Sequence, residues 1–442
     1  MIRITGGKQL TTPPQAGHKA SMAAILLIGL LLLPFVLPGC KTLQKTGRSH
    51  PPVVLYNPGK TVLHPEFVVY HHTDDESTLY FRVLISEILM SQANPELKER
   101  GQLRLAWTLY SSFQNLEITA RDTADFIVYK ERAGEAFVGS VKLPARNGQT
   151  YMLELMLEDA VRKSRIQHFV LVDRFSQHPQ QDFLVLQHPG NVPGFQTFFY
   201  SDEQFRIIQR ASREGNIYVS RFQLNRTLPR PPYDVTEYQD PIPVPDSTWI
   251  ETWSHQKLFE LRKEGVYLFH LKAAPVEGLC LLHISDHFPQ IQHSDDLLPP
   301  LQYLTTEDEF RIMMAQDNPK KAADDFWLEK GKSFANARDL IRVYYNRVLF
   351  ANHYFTTSKE GWLSDRGMIY VLMGPPAEVI RAESEEIWVY NRTDTNQKYA
   401  FRFVLRNDPF TGFDFRLNRT EDHRSLWNLA IATWRQGKIF SL

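Results

Sequence analysis

Residues 361–376 read GWLSDRGMIYVLMGPP, and what this stretch forms decides the architecture of the C-terminal third of the chain. Gly361, Trp362, Ser364, Asp365, Arg366 and Gly367 crowd its start, six apolar residues follow at 368–373, and Gly374, Pro375 and Pro376 close it. As a strand, the apolar run puts Met368, Tyr370 and Leu372 on one face and Ile369, Val371 and Met373 on the other. Both faces are then apolar, which predicts a covered, central strand, and two prolines that donate no ladder bond would stop it. Gly361 can take φ > 0 and permit a sharp exit from a preceding helix. Trp362 offers a large apolar body and one N–H that wants a partner. Ser364 and Asp365 can accept backbone N–H groups in a turn, and Arg366 presents a guanidinium fork for which Glu386 is a candidate carboxylate. The catalytic alternative makes Ser364 a nucleophile or Asp365 a general acid–base, with His353 the histidine that could approach in space. The stretch has no Gly-x-Ser-x-Gly elbow. MGPP lacks the Lys and further Gly of a phosphate loop.

Upstream, TEDEFRIMMAQDNPKKAADDFWLEKG and NARDLIRVYYNRVLFANHYF carry helical spacing, with Leu340, Tyr344, Val348, Ala351 and Phe355 along one stripe. Asn336 is a candidate cap for the second helix. Downstream, EEIWVYN, YAFRFVLR and GFDFRLN read as strands, and a last helix is expected over residues 423–435. Helices followed by a hairpin-linked sheet give an α+β domain over residues 296–442. The ordered set Phe326-Trp327, Tyr345, Arg347, Ala351-Asn352, Gly361-Trp362, Asp365-Arg366-Gly367, Gly374-Pro375-Pro376 and Glu386-Ile387-Trp388, then Tyr390, resembles the GWxTD domain of Bacteroidota and related bacteria. Ser364 stands where that pattern has Thr, keeping the hydroxyl. The resemblance names a domain and implies no reaction. It marks Gly361, Trp362, Ser364, Asp365, Arg366, Gly367, Gly374, Pro375, Pro376, Glu386, Trp388 and Tyr390 as motif residues with a structural or binding role.

The rest of the chain reads differently. Residues 62–175 hold six or seven strand-like runs, several alternating with period two, as in Leu103, Leu105, Trp107 and Leu109. Asn147-Gly148 is a candidate hairpin turn. Residues 176–295 supply a second set of strands, interrupted by six prolines between Pro229 and Pro245 that forbid a central strand or helix there. The expected fold class is two all-β immunoglobulin-like sandwich domains followed by the α+β domain.

The N-terminus reads as an address. Arg3, Lys8 and Lys19 precede an apolar run over residues 22–37, and no acid occurs before Glu66. That is the order of a secretory signal, too short for a comfortable membrane span. It ends at Leu37-Pro38-Gly39-Cys40, which resembles the lipobox of bacterial lipoproteins. The resemblance implies a signal peptide over residues 1–39, lipid (palmitate among it) on Cys40, and a polar tether over residues 40–61. Several acyl chains would anchor the chain stably, at about 0.8 kcal/mol per buried methylene. The expected location is the outer membrane, on its periplasmic face.

Fifty basic against fifty acidic residues give no basic field for nucleic acid. Of the two cysteines, Cys40 belongs to the signal and Cys280 sits in an apolar run, where a small buried hydrophobe is the expectation. His283 and His287 lie at the end of a strand-like run, where i, i+4 spacing does not converge on a metal. No cofactor or metal is expected. The function expected is a binding or scaffolding role in an envelope complex, with an envelope protein partner. The rival is an envelope hydrolase acting on glycan or peptide through the C-terminal domain.

Overall fold

Alternation in residues 100–173 builds the first layer pair. The computed structural model describes residues 55–442, apart from 93–98, 113–115, 131–135, 176–178, 211–213, 239–240, 274–277, 383, 393–396, 407 and 409. The signal, Cys40 and the tether as far as residue 54 lie outside the described residues. Strands β1 (Glu66–His71), β2 (Ser77–Leu84), β3 (Arg100–Tyr110), β4 (Ile118–Tyr129), β5 (Ala136–Leu143), β6 (Thr150–Asp159) and β7 (Ser164–Asp173) form two antiparallel sheets, β1-β2-β5 and β4-β3-β6-β7. Leu105, Trp107 and Leu109 of β3 stand opposite Leu157, Leu155 and Leu153 of β6. They share one core with Leu79, Phe81 and Val83 of β2, so the two sheets face each other as a sandwich-like pair.

The Asn147-Gly148 turn differs from the expected hairpin. Gly148 does take φ +94°, but β5 pairs with β2 and β6 pairs with β3 and β7. The turn carries the chain from one sheet to the other. Turn chemistry fixes a chain reversal without specifying which strands pair.

A buried histidine in this layer pair gives a pH prediction. His71 is 2% exposed; its Nε2 donates to the Asp173 carbonyl at 3.0 Å and its Nδ1 accepts from Ser77 Oγ at 2.9 Å. Burial, with Arg174 nearby, lowers its pKa to about 4. The unfolded histidine titrates near 6.5, so the stabilisation from the neutral ring is complete above that pH. It is lost as pH falls from 6.5 towards 4, a change of about 2–3 kcal/mol. Denaturant titrations at pH 7.5 and pH 4.5 should show this loss in the wild type and less of it in His71→Gln; an equal loss in both would refute the assignment.

The second β region contains β8 (Phe183–His188), β9 (Val192–Pro193), β10 (Gln204–Gln209), β11 (Glu214–Phe222), β12 (Ser247–Ser254), β13 (Leu258–Glu260), β14 (Gly265–His270) and β15 (Leu279–His283). Its sheets run β13-β10-β8-β9 and β12-β11-β14-β15. Every residue of β14 is buried. Tyr267 and Phe269 enter the core between these sheets, while Val266 and Leu268 join Cys280, Leu282 and Phe410 on the opposite side. Cys280 is fully buried, and burial pushes its thiol well above the ordinary range, which is the environment of an inert packing residue. Residues 223–246 form the expected irregular crossing, with no strand or helix among those described.

The C-terminal part contains α1 (Glu307–Met314), α2 (Pro319–Gly331), α3 (Phe334–Phe355), α4 (Asp365–Met373), β16 (Glu378–Arg381), β17 (Glu385–Arg392), β18 (Gln397–Leu405), β19 (Phe415–Leu417) and α5 (Arg424–Arg435). The sheet is antiparallel in chain order, β16-β17-β18-β19. Thr306 and Glu309 make a full capping box on α1. Ser333, not Asn336, caps α3 through the Asn336 N–H; the Asn336 amide instead donates to the Gly331 and Gly437 carbonyls.

The main correction concerns residues 368–373, which form the body of helix α4 and not a strand. All six are buried, since α4 contacts α3, β19 and α5. A helix covered all round shows no polar face, so its sequence lacks the 3.6-residue period that would identify it. The architecture is β-rich sheets followed by an α+β part, and no described helix is long and apolar enough to cross a membrane.

Candidate functional site

The motif residues converge where α3 meets α4. A short 3₁₀ turn, Gly361–Leu363, leads into α4. Ser364 caps that helix: its Oγ accepts from the Gly367 N–H at 2.9 Å and donates to the Gly361 carbonyl at 2.7 Å. A hydroxyl is the required chemistry for an N-cap, so Ser serves as Thr would. Gly361 does not have positive φ. Its role is close approach, because a Cβ there would lie 2.0 Å from the Ala351 carbonyl oxygen, and one on Gly367 would lie 1.9 Å from the Gly361 carbonyl oxygen. Trp362 is buried; its backbone N–H donates to Asn352 Oδ1 and its indole N–H to Glu360 Oε2.

Asp365 and Arg366 do not pair with each other. Asp365 accepts two bonds from Arg419, at 2.6 and 3.0 Å, and one from the Leu417 N–H at 2.8 Å. Arg419 also donates to the Arg230 and Pro231 carbonyls of the proline-rich crossing, which ties that loop to the motif. Arg366 lies over the Phe355 and Phe415 rings, at 5.1 and 4.6 Å, and donates to the Phe413 carbonyl. Its guanidinium reaches Glu386 Oε2 at 3.6 Å, an ion pair with the carboxylate the sequence suggested but without the hydrogen-bonded fork.

Glu386 is the hub. It is completely buried, and its Oε1 accepts from Arg381 at 2.7 and 2.8 Å and from the Tyr56 hydroxyl at 3.0 Å. Its Oε2 accepts from the Trp388 indole at 3.1 Å. Burial alone would raise the Glu386 pKa; Arg381 and Arg366 outweigh it and hold the carboxyl at about 2. Trp388 and Tyr390 are fully buried, and the Tyr390 hydroxyl donates to the Gly374 carbonyl. Gly374, at φ +86°, caps the end of α4. Arg347 crosses beneath it, donating to the Val371, Leu372 and Phe440 carbonyls. A cation on the carbonyl end of a helix is favourably placed.

Residues 265–436 match the family model of the GWxTD domain. The chain carries a GWxTD domain. No curated protein matches the chain. The match begins at β14 rather than at the change of pattern near residue 296. The structure supplies a reason, since the Val266 and Leu268 side of β14 shares a core with Phe410 of the GWxTD domain.

Sequence reasoning missed Tyr56, Arg381 and Arg419 as members of the motif cluster. Arg381 lies five residues from Glu386, a distance with no meaning until β16 and β17 pair Arg381 opposite Glu386. A cleft of about 350 Å³ near the motif is lined by Leu171, Gln181, Ser384, Leu405 and Phe413, among others; Ser364, Asp365, Arg366 and Glu386 do not line it. His283 and His287 belong to no group of three or more potential metal ligands among the described residues.

Proposed function

We propose that this is a lipid-anchored protein of the outer membrane, facing the periplasm, with a binding or scaffolding role in an envelope complex. Its two β-rich regions are then immunoglobulin-like sandwiches that present surface to an envelope protein partner. The observation that carries the scaffold reading is that both candidate catalytic groups, Ser364 and Asp365, are engaged in internal bonds. Ser364 is 2% exposed with its hydroxyl both donating and accepting, and Asp365 is held by Arg419 and the Leu417 N–H. Either group would have to leave these bonds to act on a substrate, and among the described residues neither has a histidine partner for activation. A motif engaged in internal bonds specifies a rigid shape, and rigid shape suits a docking module.

The anchor rests on the run that ends at Cys40. Replacing Cys40 with Ala should move the protein from the membrane pellet to the soluble fraction on cell fractionation. Retention of Cys40→Ala in a detergent-sensitive, alkali-resistant pellet would refute the lipid anchor. The scaffold reading is tested by purifying the wild type from envelopes in mild detergent; a monodisperse monomer with no reproducible envelope protein partner would count against it.

A further inference from the structure

Tyr56 reaches the GWxTD domain from 330 residues away in sequence. Its ring lies among Tyr354, Phe355 and Trp388, with centroids at 5.4, 4.9 and 5.5 Å. At the inner end its hydroxyl donates to Glu386 Oε1 at 3.0 Å and accepts from Arg381 at 3.3 Å. Its backbone carbonyl accepts from the Tyr370 hydroxyl at 2.8 Å, and Leu55 beside it is 7% exposed in the same core.

Two facts separate this from ordinary packing. The residues that stack on Tyr56 or hydrogen-bond to it, Tyr354, Phe355, Tyr370, Arg381, Glu386 and Trp388, lie within the 265–436 match, while Tyr56 lies far outside it. Tyr56 also holds φ +58°, a left-handed conformation unfavourable for a residue with a Cβ, which persists only where the surroundings over-determine it. The pocket reads each part of its occupant: aromatic walls for the ring, a donor and an acceptor for the phenol, and a hydroxyl for the main chain. An apolar slot with a few convergent polar groups is the make-up of a ligand site.

We propose that the GWxTD domain carries a binding site for the tyrosine side chain of an extended peptide, and that this chain fills it in cis with Tyr56. The ligand class is a phenol on a peptide backbone, preceded by an apolar residue as Leu55 precedes Tyr56. Cis occupancy fastens the N-terminal segment to the GWxTD domain. Release of Tyr56 would open the same site to a tyrosine supplied in trans. This site stands or falls independently of the scaffold reading.

The test uses the full-length chain with Tyr56→Ala, titrated with p-cresol, the free form of the tyrosine side chain, and in parallel with toluene. Ligands that bind only the folded state raise its apparent stability. The expected result is a lowered unfolding midpoint, restored by several degrees in a saturable way by p-cresol and much less by toluene, which cannot satisfy Glu386 and Arg381. No response to p-cresol, or an equal response to toluene, overturns the proposal. Should Tyr56→Ala come out unfolded, recovery of folded protein on refolding in p-cresol and not in toluene becomes the readout, and failure of that recovery overturns it equally.

Discussion

Gly367→Ala should cripple folding of the GWxTD domain. The new methyl would meet the Gly361 carbonyl oxygen at 1.9 Å and the Trp362 Cα at 2.8 Å. Both are backbone atoms, so no rotamer change relieves the clash. Overpacking a well-filled site costs typically about 1–3 kcal/mol where side chains can move, so about 3 kcal/mol or more is expected here. The damage would spread, because the Gly367 N–H receives the Ser364 cap and Gly361 abuts α3. The check is soluble yield and urea unfolding of Gly367→Ala against Gly148→Ala. A methyl at Gly148 meets nothing within 4 Å, and its only cost comes from the φ of +94°. Similar stability for the two variants would show that close backbone approach at Gly367 is not what the motif glycine provides.

Glu386→Ala should be comparably severe for a different reason. It removes the acceptor shared by Arg381, Tyr56 and Trp388 and the counter-charge of Arg366. Deleting one member of a buried ionic cluster leaves uncompensated charge, at a cost of about 3–5 kcal/mol. Combining Glu386→Leu with Arg381→Met should therefore recover part of the loss, since removing charge and counter-charge together avoids that penalty. A double variant no better than Glu386→Ala would mean that the hydrogen bonds, not the stranded charge, dominate.

The same residue predicts behaviour in acid. The folded carboxyl titrates near 2, and an unperturbed one near 4.3. Its contribution is complete above the unfolded value and is lost as pH falls through the folded one. Unfolding free energy should fall more steeply below pH 4 in the wild type than in the double variant that combines Glu386→Leu with Arg381→Met.

Local chemistry was legible wherever a residue's surroundings are its own sequence neighbours. The alternation in β3, the spacing of Leu340, Tyr344 and Val348 in α3, and the prolines between 229 and 245 each state a local preference that the fold keeps. The GWxTD domain was legible for a related reason: its motif residues mark cap, close-approach and helix-stop positions, which leave a fixed order along the chain. Glu386 could be named as a candidate partner for Arg366 in advance because a guanidinium and a carboxylate are complementary in charge and shape.

Tertiary structure alone decided the rest. Residues 368–373 are a helix buried against α3, β19 and α5, and complete coverage erases the periodicity that distinguishes helix from strand. Asn147-Gly148 reverses the chain, but the choice between a hairpin and a crossing between sheets belongs to the layers on either side. Arg419 finds Asp365, and Arg381 and Tyr56 find Glu386, across separations that no local pattern encodes; the drive to satisfy a buried carboxylate brings them together, and only the folded chain shows which cations and hydroxyls lie within reach.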